Sequence, residues 1–242
     1  MSIGEWTMTL RHTTAVAVLL LAGSVAMAQY DEPRAFTQLE ARFIAAGVLD
    51  RDFHKGNGNP LGDSAAIGYR AWMPMLSFHQ GPVTVSFGYT RYRRDGQSKE
   101  AVHFGTILTN DLPLSVRTAS TFSIPICVSA DFTKAEASGP QRDNFNIASI
   151  GVGAGLRYQY RSPAFDAGIT ALGIVHFAFE GLGTGSGSSR ALECDARFLF
   201  RAVHIGDGIV VGYRLRAQRW DMADERFTYT SFHHGPYLGV MF

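Results

Sequence analysis

The stretch Arg190–Asp221 reads RALECDARFLFRAVHIGDGIVVGYRLRAQRWD, and it narrows the fold more than any other. In its first half Leu192, Cys194, Ala196, Phe198, Phe200 and Ala202 alternate with Glu193, Asp195, Arg197, Leu199 and Arg201. In its second half Val211, Tyr213, Leu215 and Ala217 alternate with Gly212, Arg214, Arg216 and Gln218. His204–Gly208 (HIGDG) stands between them as a turn. A period of two places successive side chains on opposite faces, so the stretch predicts two strands joined as a hairpin. One face is apolar; the other carries full charges of both signs. A half-buried soluble sheet alternates in the same way, so the pattern alone leaves the solvent open.

The amino end decides the compartment. Arg11 and His12 precede the apolar run Ala15–Leu21, and Ala26-Met27-Ala28 follows as a small-x-small cleavage site. This predicts a secretory signal peptide over residues 1–28 and one mature domain over 29–242. The apolar run is too short to cross a bilayer as a helix, and no other stretch approaches the roughly 20 apolar residues needed. Charged residues are only 18% of the chain while glycines number 26, a composition that fits a wall facing lipid outside and turning tightly at its ends. The net charge of +1 offers no basic field for nucleic acid. The expected fold is all-β: a closed antiparallel up-and-down transmembrane β-barrel of about ten strands.

Alternation outlines the strands in order as Phe36–Leu49, Ser64–Phe78, Val83–Tyr92, Glu100–Thr109, Leu114–Phe132, Phe145–Tyr160 and Ala164–Glu180. The hairpin supplies two more, and Arg226–Phe242 the last. Short connections (HQGP, NDLP, RSP, HIGDG) alternate with longer polar or Gly-rich ones such as Arg51–Asp63. Outer-membrane barrels have short periplasmic turns and longer outer loops, and an even strand count returns the chain to the side it entered from. Pro74 and Pro125 fall inside these strands, where a closed sheet has no edge to hide them; each calls for a bulge or a break in the ladder. Cys127 and Cys194 fall on non-neighbouring strands with opposite facing, so two free thiols are expected.

The chain ends Tyr237-Leu238-Gly239-Val240-Met241-Phe242. A last strand with apolar residues at every second place and a terminal Phe resembles the assembly signal of small bacterial outer-membrane β-barrels, with Val240 and Phe242 in the matching places. The resemblance covers the mature chain as a pattern and names a class without a subfamily. It implies an outer-membrane location, and as partners the outer-membrane lipid and the barrel-assembly machinery.

The inward faces should carry Glu40, Arg42, Arg70, Arg117, Arg157, Asp166, His176, Glu180, Glu193, Asp195, Arg197, Arg201, Arg214 and Arg216. Such a set either lines a narrow porin-like channel or interlocks as a plug of Arg–carboxylate pairs. A ten-stranded barrel is little wider than the eight-stranded kind that side chains fill, which favours the plug. No catalytic or phosphate-binding motif is present, and no cofactor or metal is implied. His233 and His234 are adjacent on a strand and point to opposite faces, so they cannot share a metal. His176 with Asp166 and Glu180 is the one acid–base grouping on a single face. The expectation is therefore a structural, surface-exposed barrel or narrow channel without catalysis. An outer-membrane barrel enzyme acting on lipid or peptide, and a docking subunit of an envelope complex, are the alternatives.

Overall fold

The computed structural model describes residues 42–55, 68–94, 96–136, 145–180, 185–201, 206–222 and 228–242. Ten strands run in chain order: β1 (Arg42–Lys55), β2 (Gly68–Gln80), β3 (Val83–Arg94), β4 (Gln97–Val116) and β5 (Ser120–Ala135), then β6 (Phe145–Arg161), β7 (Phe165–Glu180), β8 (Gly185–Phe200), β9 (Gly208–Met222) and β10 (Thr228–Met241). Each pairs antiparallel with its chain neighbours, and β1 closes on β10 from Phe43↔Met241 to Lys55↔Tyr229. Closure leaves no edge, so the ladder satisfies the backbone without water.

The side chains sort by parity along each strand. On β5, Phe122, Ile126, Val128 and Phe132 are exposed while Ser123, Cys127, Ser129, Asp131 and Thr133 are buried. The same sorting exposes Leu156, Val152 and Ile150 on β6, Leu192 and Phe198 on β8, and Leu238 and Val240 on β10. From Phe122 to Phe132 this apolar row spans about 34 Å along the strand at ~3.4 Å per residue. A tilt of about 40° reduces it to roughly 26 Å, the height of an outer-membrane apolar band. Toward the loop end the outward positions turn polar, with Arg70, Arg91, Arg219 and Asp221. A greasy belt around a closed sheet with an ionic interior is the construction of a bacterial outer-membrane β-barrel.

The short turns lie at the end that holds both described termini. Gln80↔Val83 is the last β2–β3 pair, so Gly81-Pro82 forms a two-residue loop with Gly81 at φ 56°. A type II′ hairpin needs a positive φ at its first central residue, and proline's fixed negative φ suits the second. Pro74 and Pro125 each sit at an interruption of the ladder on one side of their strand. The β2–β3 pairing stops at Met75, next to Pro74, and Ile124 and Pro125 have no paired partners on β6.

Several expected boundaries are corrected. β1 lies six residues further along than its alternation suggested, and Arg51, expected in a loop, is buried within it. Asn110–Pro113 is not a turn: β4 runs on to Val116, paired with β5 across a register shift at Pro113/Ser115. The chain turns instead at 117–119, where the amide of Ser120 donates to the Arg117 carbonyl. The expected signal over residues 1–28 lies outside the described residues.

Candidate functional site

The interior is the chemically richest part of the molecule, and strand register builds it. Neighbouring strands place inward side chains in rows. One row sets Arg157 on β6 beside Thr170, Asp195 and Arg214 on β7, β8 and β9. The next row toward the loops sets Leu172 beside Glu193, Arg216, His233 and Arg51. The charged face of the β8–β9 hairpin is thereby pre-paired: Glu193 opposes Arg216 and Asp195 opposes Arg214.

Contacts across the lumen extend these pairs. Arg216 donates to Asp131 Oδ2 at 2.5 Å and to Glu193 Oε2 at 3.3 Å. Arg157 donates to Asp111 Oδ2 at 2.7 Å and to Thr170 Oγ1 at 3.0 Å. Tyr237 donates to Asp195 at 3.0 Å, and Arg214 lies 3.5 Å from the same carboxylate. His176 Nε2 lies 2.8 Å from Ser129 Oγ and 3.0 Å from Asp131 Oδ2, and its Nδ1 lies 3.2 Å from Ser189 Oγ. Such pairing offsets the loss of hydration for these enclosed charges, whereas the buried Arg51 has, among the described residues, only the Met73 Sδ at 3.5 Å.

Toward the loops the ionic layer gives way to rings. Phe53 and Phe145 meet edge to face with centroids 4.8 Å apart, Phe145 and Tyr229 lie 4.6 Å apart, and Tyr69 stacks on Tyr92 at 4.3 Å. β1 and β6 are diametrically opposite in the ten-stranded order, so the Phe53–Phe145 contact spans the barrel. Trp220, Met73, Met222 and Ile147 belong to the same buried cluster. At the turn end a cavity of about 50 Å³ remains, bordered by His79, Pro82, Thr84, Gln159 and Arg197 among others.

The expected inward set divides. Arg157, Asp166, His176, Glu193, Asp195, Arg197, Arg214 and Arg216 point inward. Glu180 stands on the inward parity at the loop end of β7, and Glu40 lies outside the described residues. Three expectations are corrected. Arg42 and Arg70 face outward, because the buried parity of β1 and β2 belongs to Phe43, Ala45, Leu49, Phe53, Tyr69, Met73 and Met75. Arg70 instead forks onto the outward Asp50, at 2.6 Å for its shorter contact. Arg117 is exposed in the β4–β5 turn. Arg201 is at the turn-end rim, paired with the buried Asp166.

The grouping of His176 with Asp166 and Glu180 does not form, since the three stand at different heights of β7. His176 is held by Asp131 instead, whose inward parity opposite Phe132 and Val128 was readable on its strand. Arg51, His79 and Asp111 were hidden by their assignment to connections. His233 is buried within 5.5 Å of His103, ring to ring, whereas His234 faces out and meets the Tyr213 hydroxyl at 2.6 Å. Among the described residues no cluster of His, Cys, Asp and Glu is arranged to hold a metal, and both cysteines are free. Val240 and Phe242 face outward, with the Phe242 ring 6.2 Å from Phe78.

No protein-family model matches the chain, and no curated protein matches it. Solved structures do resemble it. The outer membrane protease OmpT of Escherichia coli is 9% identical, with 87% of this chain and 99% of that one covered, at a TM-score of 0.48. The beta domain of the Bordetella autotransporter BrkA is 9% identical over 84% of this chain and all of its own, at 0.37. The Pseudomonas putida toluene transporter TodX is 10% identical over 81% of this chain and 67% of its own, at 0.27. These likenesses are of barrel architecture, and no residue's role passes across at such identities.

Proposed function

We propose that the protein is a structural barrel of the outer membrane that presents its loops at the surface and neither conducts nor catalyses. The observation that carries this reading is the contact of Phe53 with Phe145 across the full width of the lumen, above the Arg216–Asp131–Glu193 cluster. A chain of water or ions would have to displace a ring contact between opposite walls and then break paired charges. Neither is favourable in a space this narrow. The terminal Val240 and Phe242 act in this reading as the assembly signal, with barrel-assembly machinery and outer-membrane lipid as the partners.

His176 with Ser189, Ser129 and Asp131 has the ingredients of a hydroxyl–imidazole–carboxylate relay. A nucleophile needs a place beside it for a substrate, however, and these side chains are enclosed: His176 is 0% and Asp131 1% exposed. Their arrangement supports a structural role. Purified protein in planar bilayers is expected to give no current steps over repeated insertions. A reproducible single-channel conductance would overturn the proposal.

A further inference from the structure

The row one step turnward of Arg157, Thr170, Asp195 and Arg214 contains an inward charge without a counter-charge. Register places Arg197 between Gly168 on β7 and Gly212 on β9, where its neighbours Glu193 and Asp195 each face an arginine. No carboxylate partners Arg197 among the described residues; its guanidinium lies 5.9 Å from the Phe43 ring centroid. The two glycines have different uses. A side chain at Gly212 would collide with the Tyr237 ring 2.2 Å away, whereas a Cβ at Gly168 would meet nothing nearer than 3.8 Å. Open space therefore adjoins the unpaired cation on the Gly168 side.

That space adjoins the cavity at the turn end, which Gln159 and Arg197 line. Arg157 and Arg214 line it beside Arg197, together with Gln159, Thr84 and Thr170. The Arg214 side chain is only 7% exposed, with its Nε 3.5 Å from Asp195 Oδ2 and its Nη2 3.4 Å from His79 Nε2. Of the two carboxylates that line the cavity, Asp195 is engaged by Arg214 with Tyr237 and Glu193 by Arg216, while Arg157 holds the nearby Asp111. At about 50 Å³ the cavity has room for several water-sized groups, each needing ~10–15 Å³. An arginine fork is suited to oxygen pairs of carboxylate or phosphate. Among the described residues Arg42, Arg117, Arg161 and Arg201 stand exposed at the same end, against Asp207, the Phe242 carboxylate and the buried Asp166, which Arg161 and Arg201 share. That excess draws anions toward the mouth.

We infer that this cavity is a binding site for a compact oxyanion of phosphate size, entering from the turn end and held by Arg197 with Arg157 and Arg214. It is a dead-end site, closed off by the ionic layer behind it. Its being a dead end rests on the closed-lumen reading; the anion binding itself does not.

The test is isothermal titration of the detergent-folded full-length protein with inorganic phosphate in low-chloride buffer. Acetate and a soluble short-chain phosphatidate are run in parallel, to separate a carboxylate from a phosphate and a free phosphate from a lipid headgroup. Saturable, one-to-one phosphate binding is expected, weakened at least tenfold by Arg197→Gln and unchanged by the outward Arg219→Gln. Gly168→Leu keeps every charge and fills the space between Gln159 and Arg197, so it should abolish binding as well. It also supplies the answer should Arg197→Gln fail to fold. Absence of saturable binding by any of the three anions, or equal binding by wild type and Gly168→Leu, overturns the assignment.

Discussion

Asp131→Ala tests whether the ionic layer is dry. Asp131 and Arg216 are 1% and 3% exposed, and their contact is 2.5 Å. At an effective dielectric of ~20, unit charges about 4 Å apart attract by roughly 4 kcal/mol. Removing one member of a buried pair costs about 3–5 kcal/mol because the other is left without hydration or partner. Arg216 would keep Glu193 at 3.3 Å, which places Asp131→Ala near the lower end, about 3 kcal/mol. Arg216→Met leaves Asp131 and Glu193 facing each other and should cost more, about 4–5 kcal/mol. In the double variant both the lost attraction and the stranded charge are counted once, so its cost should fall below the sum by ~2 kcal/mol. The assay is urea unfolding of the barrel in phospholipid vesicles, followed by tryptophan fluorescence. With a slope of about 2 kcal/mol per molar, Asp131→Ala should lower the midpoint by about 1.5 M. A shift under ~0.5 M, or additive single and double variants, would mean that lumen water solvates Arg216, and the occlusion argument would fall with it.

Two further substitutions test the wall. Val128→Arg, at an exposed belt position, is expected to destabilise the vesicle-inserted barrel by ~2–4 kcal/mol in the same titration, and a neutral result would place Val128 outside the hydrocarbon. At the inward glycines, Gly151→Ala sets a Cβ 2.4 Å from both Val175 O and His176 Cδ2 and should cost ~1–3 kcal/mol, whereas Gly168→Ala should be tolerated. Equal unfolding midpoints for the two would refute the packing assigned to β6 and β7.

Strand identity and the in-out sense of β3 and of β6 through β9 are legible from the amino acids alone, because there one face is apolar and the other charged or small. Periodicity alone thus places Glu193, Asp195, Arg197, Arg214 and Arg216 in the lumen. On β1 and β2 the same reasoning inverts. Alternation tells that two faces differ but not which one is inside, and a narrow lumen is itself partly filled by Phe43, Phe53, Tyr69 and Met73. Arg42 and Arg70 read as lumenal for that reason, and a shift of one residue in register is enough to reverse every side chain. Only closure of β1 onto β10 and β2 decided the matter. Which charges meet was also beyond local pattern, except within the β8–β9 hairpin. Asp131 reaches Arg216 over 85 residues of chain, and Phe53 meets Phe145 only because ten strands bring β1 and β6 to opposite walls. Periodicity is a property of neighbours along the chain; the plug and the unpaired Arg197 arise from the circumference.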